Sequence, residues 1–319
     1  MVRIAIGIAV AFAAFCFADA NAQAGVNRAW VSGHGSDAPG CGAPTSPCRT
    51  FQYVVNSIIN AGGEIDVLDP AGYGAVTVPF ALSIVNDGVG VAGVQAAAGG
   101  NAITFNGGPN DILSLRGLNI EGLNTAANGI QFNSGALISL SDSHVTGFTQ
   151  YGINFVSSSG NTFLEVRNSG LGENGAGDIY MKPTGGATGQ YGYATIANSD
   201  LGGEAASPTI LTLDTTAESG ARMAATLSNC FIHGTPGTAI SVNAPTNPAI
   251  VTINDSTLTQ IGTTFVANGA SALVGIDGSK ISDTNTVVQT TNGGGVSSFG
   301  NNAIWAYTTL GALGSQTLQ

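Results

Sequence analysis

The sequence predicts an all-β solenoid, in which short strands wind into stacked parallel coils. Three observations lead there. A six-residue phrase, apolar-x-Asn/Asp/Gly-Ser-x-apolar, returns eight times, and its first apolar residue advances by 25, 26, 30, 31, 26, 23 and 23 residues from copy to copy. A fixed period of that size is what stacked supersecondary units produce. Between the phrases, apolar residues alternate with polar ones, the period of a strand with one buried face. Finally, coils this short and this rich in Gly, Thr and Asn leave no room for long helices.

The elements follow in order. Residues 1–24 read as a secretion leader: Arg3, an apolar run from Ile4 to Ala18, then Ala22-Gln23-Ala24 before a cut at Gly25. The run is too short to span a bilayer, and no later segment is long and apolar enough. Export implies a secreted or periplasmic protein. Residues 25–63 form an entry cap. Ala29-Trp30-Val31-Ser32 is a short strand, and a Gly/Pro-rich loop follows. Within it Cys41 and Cys48 are predicted to form a disulfide. A metal site with His34 lacks a second Cys pair, so no metal is expected. Thr50 is a helix N-cap, and Phe51, Val54, Val55, Ile58 and Ile59 share one helical face, with Ala61-Gly62-Gly63 as the stop. This helix is expected to cover the open end of the solenoid core.

Residues 64–305 carry the coils, and 306–319 a tail. Ile65-Asp66-Val67, Leu82-Ser83-Ile84 and Ile103-Thr104-Phe105 each place two apolar side chains on one face. Later coils repeat this in Ile130-Gln131-Phe132, Ile153-Asn154-Phe155, Ile179-Tyr180-Met181, Ile240-Ser241-Val242 and Phe265-Val266-Ala267. The recurring phrase is the corner between two strands. Its third position holds Gly117, Asp142, Asn168, Asn198, Asn229, Asp255, Gly278 and Asn301, the residue types that tolerate a left-handed bend. The next position holds Ser143, Ser169, Ser199, Cys230, Ser256 and Ser279. Stacking should bring both positions into ladders, with Cys230 as a buried substitute for serine.

Corner amides in ladders, coils of this length and a cap helix resemble the right-handed parallel β-helix of the pectate-lyase-like superfamily. Trp30-Val31-Ser32, Gly35-Ser36-Asp37, Pro47-Cys48-Arg49-Thr50-Phe51 and Gly62-Gly63-Glu64-Ile65 are similar to the start of secreted bacterial members. The resemblance covers residues 29–305. It implies a right-handed coil with an N-terminal capping helix, and a sugar-binding cleft on the outer face of one strand stack. It does not carry over catalytic residues. The chain has neither the Asp-Asp pair and Arg-x-Lys of the hydrolases nor a matching lyase cluster.

Charge narrows the function. Charged residues make up 8% of the chain, and the net charge is −11. Nucleic acid and anionic membranes both require clustered Lys and Arg, so neither is an expected partner. A polysaccharide or cell-surface glycan suits this surface. Outward positions of the strands preceding each corner give the candidate contacts: Asn133, Asn154, Tyr180, Lys182, Asp214 and Asn243, with Gln131, Thr212 and Ser241 beside them. Lys182, Asp214 and Asp178 are the catalytic candidates if the protein is instead a Ca²⁺-dependent lyase or a glycoside hydrolase; their convergence would favour an enzyme. Otherwise no cofactor is expected. Asp142 with His144 and Arg167 reads as a corner, Glu165 with Arg167 as a surface ion pair, and His34 and His233 as solitary loop residues.

Overall fold

The computed structural model describes residues 25–158, 160–184, 190–203, 208–217 and 220–315. The leader read at residues 1–24 lies outside the described residues. The described residues form a nearly all-β parallel solenoid of about nine turns with one short helix. Three columns of strands run along it. The first is a 12-stranded sheet from Val26–Val31 through members such as Leu137–Ser141, Asn161–Arg167 and Tyr191–Ala197 to Gly314–Ser315. The second begins at Ala71–Gly72 and includes His144–Thr146, Gly170–Gly172 and Asp200–Gly202. The third begins at Val76–Val78 and includes Asn128–Ser134, Tyr151–Ser157, Gly177–Pro183 and Thr209–Asp214. In the later coils the second and third columns merge. Phe231–Asn243, Thr257–Asn268 and Lys280–Thr291 each run unbroken through both.

Register places like upon like. In the third column Ile103, Ile130, Ile153, Ile179, Leu211 and Ile240 stack in one inward file, and Phe105, Phe132, Phe155, Met181, Leu213 and Val242 in another. All twelve are fully buried. The Phe132 and Phe155 rings stack with centroids 4.2 Å apart. Each such side chain contributes on the order of 1.5–3 kcal/mol when removed from water, so these files dominate the stability. The outward file of the first column is also apolar, passing through Ile112, Leu137, Phe163, Tyr193, Ala224, Ile250 and Leu273.

The corners adopt the bend their residues allow. Gly117, Asp142, Asn168, Asn198, Asn229, Asp255 and Gly278 all have φ between 47° and 72°. The eighth copy differs: Gly300, at φ 90°, takes the bend in place of Asn301. The rung beside each bend is a directed chain. Ser143, Ser169, Ser199, Ser256 and Ser279 each donate their hydroxyl to the carbonyl two residues earlier at 2.7–2.8 Å. The same oxygens accept from the coil before: Ser143 N–H reaches Ser169 Oγ, Ser169 N–H reaches Ser199 Oγ and Cys230 N–H reaches Ser256 Oγ. Cys230 fills its rung, with its thiol 3.4 Å from the Ile196 and Ser228 carbonyls. Burial raises its thiol pKa, which keeps it protonated.

The N-terminal segment holds one disulfide, Cys41–Cys48. Thr50 caps the helix by accepting the Tyr53 N–H, and Asp37 accepts from the Thr50 amide and hydroxyl. The helix covers only Phe51–Ser57, shorter than its periodicity implied. Ile59 already belongs to the strand Ile59–Val67, where it pairs with Val26. A β-branched Ile58-Ile59 pair next to a waiting strand edge ends the helix before the glycines are reached. The buried face of Phe51, Val54 and Val55 lies against Ile59–Val67 and Val76–Val78. At the other end Ala303–Thr309 and Gly314–Ser315 still pair in parallel with the preceding coil.

Candidate functional site

The outer face of the third column gathers most of the residues singled out by their alternation. One outward file runs Thr104, Gln131, Asn154, Tyr180, Thr212, Ser241. Lys182 pairs with Val156, and Asp214 with Asn243 and then Asn268. An amide network occupies the earlier coils. Asn154 donates to Gln131 at 2.8 Å, Gln131 to Asn133 at 2.8 Å, and Asn133 to Asn106 at 2.8 Å. In the later coils Asn268 donates to Asn243 at 3.2 Å.

Between the two amide groups sits an aromatic and charged centre. The Tyr151 and Tyr180 rings are stacked, 4.8 Å apart and 10° from parallel. The Tyr180 hydroxyl donates to Asp214 at 3.1 Å, and the Lys182 ammonium lies 3.9 Å from the same carboxylate. The Asp214 side chain is 14% exposed and that of Lys182 30%. The other Asp214 oxygen accepts the Thr216 amide and hydroxyl at 2.9 and 2.6 Å. Three hydrogen bonds and one ion pair thus fix this carboxylate. Burial first, and then Asp214, hold the Tyr180 hydroxyl well above the ordinary tyrosine range; Tyr151 is raised in the same way.

Asp178 does not join this centre. Strict alternation would turn it outward with Tyr180 and Lys182, but it is fully buried and accepts from Asn174 at 2.8 Å. Gly177, at φ 146°, precedes it, and Asp178 and Ile179 both point inward. The bend breaks the parity on which the reading rested. Among the described residues, Asp214 and Lys182 therefore meet without a second carboxylate. The facing carboxylate pair that glycoside hydrolysis uses is not seen among the described residues at this centre. Nor does the described donor set suit Ca²⁺, which takes six to eight oxygens and would share the one described carboxylate with an ammonium. Among the described residues no three His, Cys, Asp or Glu side chains cluster as metal ligands.

Other sequence readings fall elsewhere. Asp142 accepts from Asn168 at 3.3 Å at its corner, and Glu165 pairs with Arg167 at 3.6 Å on the surface. His233 is not a loop residue. It lies in the strand Phe231–Asn243 and meets Asp200 of the preceding coil at 2.9 Å. The phrase spacing places Asp200 and Phe231 in register, which was the available signal; no motif joins them.

No protein-family model matches the chain, and no curated protein matches its sequence significantly. Two solved structures align with the chain. The crystal structure of bacteriophage CBA120 tailspike protein 3 does so loosely, with a TM-score of 0.23 and 12% identity over 80% of this chain and 55% of that one. The crystal structure of an alginate lyase from Paenibacillus sp. str. FPU-7 superposes with a TM-score of 0.52, at 14% identity, over 83% of this chain and 96% of that one, so this chain shares that lyase's architecture.

Proposed function

We propose that the protein is an exported, non-catalytic glycan-binding rod, and that its outer third-column face holds a polysaccharide. The stacked Tyr151–Tyr180 pair beside the tethered Asp214 carries this reading. Stacked aromatic rings offer a flat apolar platform for a sugar ring, and the flanking amides offer donors and acceptors for its hydroxyls. Lys182 adds a cation for an acidic sugar, although Asp214 already engages it. Three hydrogen bonds and the Lys182 ammonium engage Asp214, which lowers its availability as a base or nucleophile. That favours binding over turnover. An architecture shared with a polysaccharide-acting enzyme is compatible with a glycan ligand. Export accords with the leader-like residues 1–24 and with the disulfide. A right-handed coil accords with the strong preference of parallel crossovers, and the short helix is suited to shield the first coil.

A glycan array on the purified protein tests the reading. Binding of at least one polysaccharide is expected, abolished by Tyr180→Ala with the melting temperature nearly unchanged. Unaltered binding by that variant would remove this face as the site. Release of unsaturated products from alginate or pectin would replace binding with lyase activity.

A further inference from the structure

The second column carries a depression of its own. Its outward positions run His144, Gly170, Asp200, Phe231 in one file and Thr146, Gly172, Gly202, His233 in the next. Glycine thus leaves three of the four floor positions, 170, 172 and 202, without a side chain and Asp200 holds the fourth, while the His144 coil and the Phe231 coil stand as walls. Three strand spacings separate those walls, about 14 Å. The groove has a volume of about 670 Å³ and is bordered by Asn119, His144, Thr146, Glu173, Asp200 and His233.

Backbone demands explain part of this floor but not all of it. Gly202 has φ 125°, and a Cβ there would lie 1.8 Å from the His233 carbonyl oxygen. Gly170 has no such bend, and the nearest atoms its Cβ would meet belong to the His144 imidazole, at 2.8 Å. A side chain at 170 would therefore fill the groove and press on its wall, without straining the strand.

The lining selects its ligand by chemistry. Its described residues include two carboxylates and no Lys or Arg, which disfavours phosphate, sulfate and uronate. Glycine backbone and polar side chains give a lipid or an apolar peptide little to hold. His233 is fixed from two sides, by the Asp200 carboxylate at 2.9 Å and by the Phe231 ring stacked 4.5 Å away. The Asp200–His233 pair presents a carboxylate and an imidazole at fixed positions, with the exposed Phe231 ring stacked beside it. A neutral, hydroxyl-rich ring satisfies such a set. We infer that this groove is a second ligand site, for an uncharged sugar, separate from the tyrosine face.

Calorimetric titration with neutral oligosaccharides of glucose, mannose and galactose tests it on the purified protein. Saturable binding is expected, equal in the unmodified chain and in Tyr180→Ala. His233→Ala, which removes a wall, and Gly170→Asn, which fills the floor, should each weaken it by roughly tenfold or more. Circular dichroism of both variants reports whether the coil is intact. The site is overturned by absence of saturable binding at about 1 mM sugar, or by affinities within about twofold in both folded variants. Loss of binding in Tyr180→Ala alone would assign the neutral sugar to the tyrosine face and overturn this groove, leaving the proposed function standing.

Discussion

Ser169→Ala tests the corner ladder at its centre. The Ser169 hydroxyl accepts the Ser143 N–H at 3.2 Å and donates to the Arg167 carbonyl at 2.8 Å. Removing the oxygen leaves the Ser143 amide in a buried corner without its acceptor, a cost of about 1–3 kcal/mol. The Arg167 carbonyl still receives the Asp142 N–H at 3.1 Å, so no second orphan arises. For a chain of this size roughly 2–4 °C is lost per kcal/mol, giving a fall of about 2–12 °C in melting temperature. Ser139→Ala is the control. It lies in the first-column strand Leu137–Ser141, away from the corner, and its hydroxyl faces outward to Glu165 at 3.5 Å, so about 0.5 kcal/mol or less is expected. Scanning calorimetry on the three proteins decides the matter. If Ser169→Ala melts no lower than Ser139→Ala, the file of hydroxyls does not hold the coils together.

Three further outcomes follow from other parts of the structure. Asn198 sits at φ 52°, where a β-branched side chain is strained, so Asn198→Val should cost about 1–3 kcal/mol in chemical denaturation, and an unchanged midpoint would contradict the bend. The Cys41–Cys48 bridge closes a short loop with a sequence separation of 7. Replacing both cysteines by Ser should cost about 2–3 kcal/mol by chain entropy, measured as the difference between the two proteins under non-reducing conditions. Tyr180 keeps its proton in the native state beyond the ordinary value of 10.0, whereas the unfolded chain releases it there. The unfolded state thus binds fewer protons above that pH, and stability must fall as pH rises past about 10. Tyr180→Phe should make that alkaline fall shallower; an identical pH profile would show that the hydroxyl is not held as described.

What could be read from the chain was whatever the backbone forces on residue identity. A left-handed corner excludes most side chains, so Asn168, Asn198, Asn229 and Asp255 announce themselves, and the serine beside each marks its rung. Inward files are legible for a similar reason: parallel register lays Ile130, Ile153 and Ile179 on one another and keeps them alike. Legibility failed where one local feature shifted the count. Gly177 turned Asp178 inward, and Gly300 took the bend assigned to Asn301. The helix lost its last turn to the pairing of Ile59 with Val26, a contact between segments 33 residues apart that no local pattern encodes. The groove between His144 and His233 was invisible because its floor is an absence of side chains, and its walls belong to different coils.

The hydroxyl file also has a direction, and that bears on how the molecule is made. The corner amides of Ser143, Ser169, Cys230, Ser256 and Ser279 are each completed by a side-chain oxygen from the winding that comes after, and at Ser199 the following rung is the Cys230 sulfur. During synthesis each new corner remains one acceptor short until the following 23 to 31 residues have emerged and settled. Closure therefore proceeds in the order of translation, and the last rung needs a different terminator. Asn302 provides one: its carbonyl oxygen takes the Ser279 N–H at 2.7 Å, while its amide reaches back to Ile276 at 2.8 Å. A single side chain thus finishes the series without calling on any later hydroxyl.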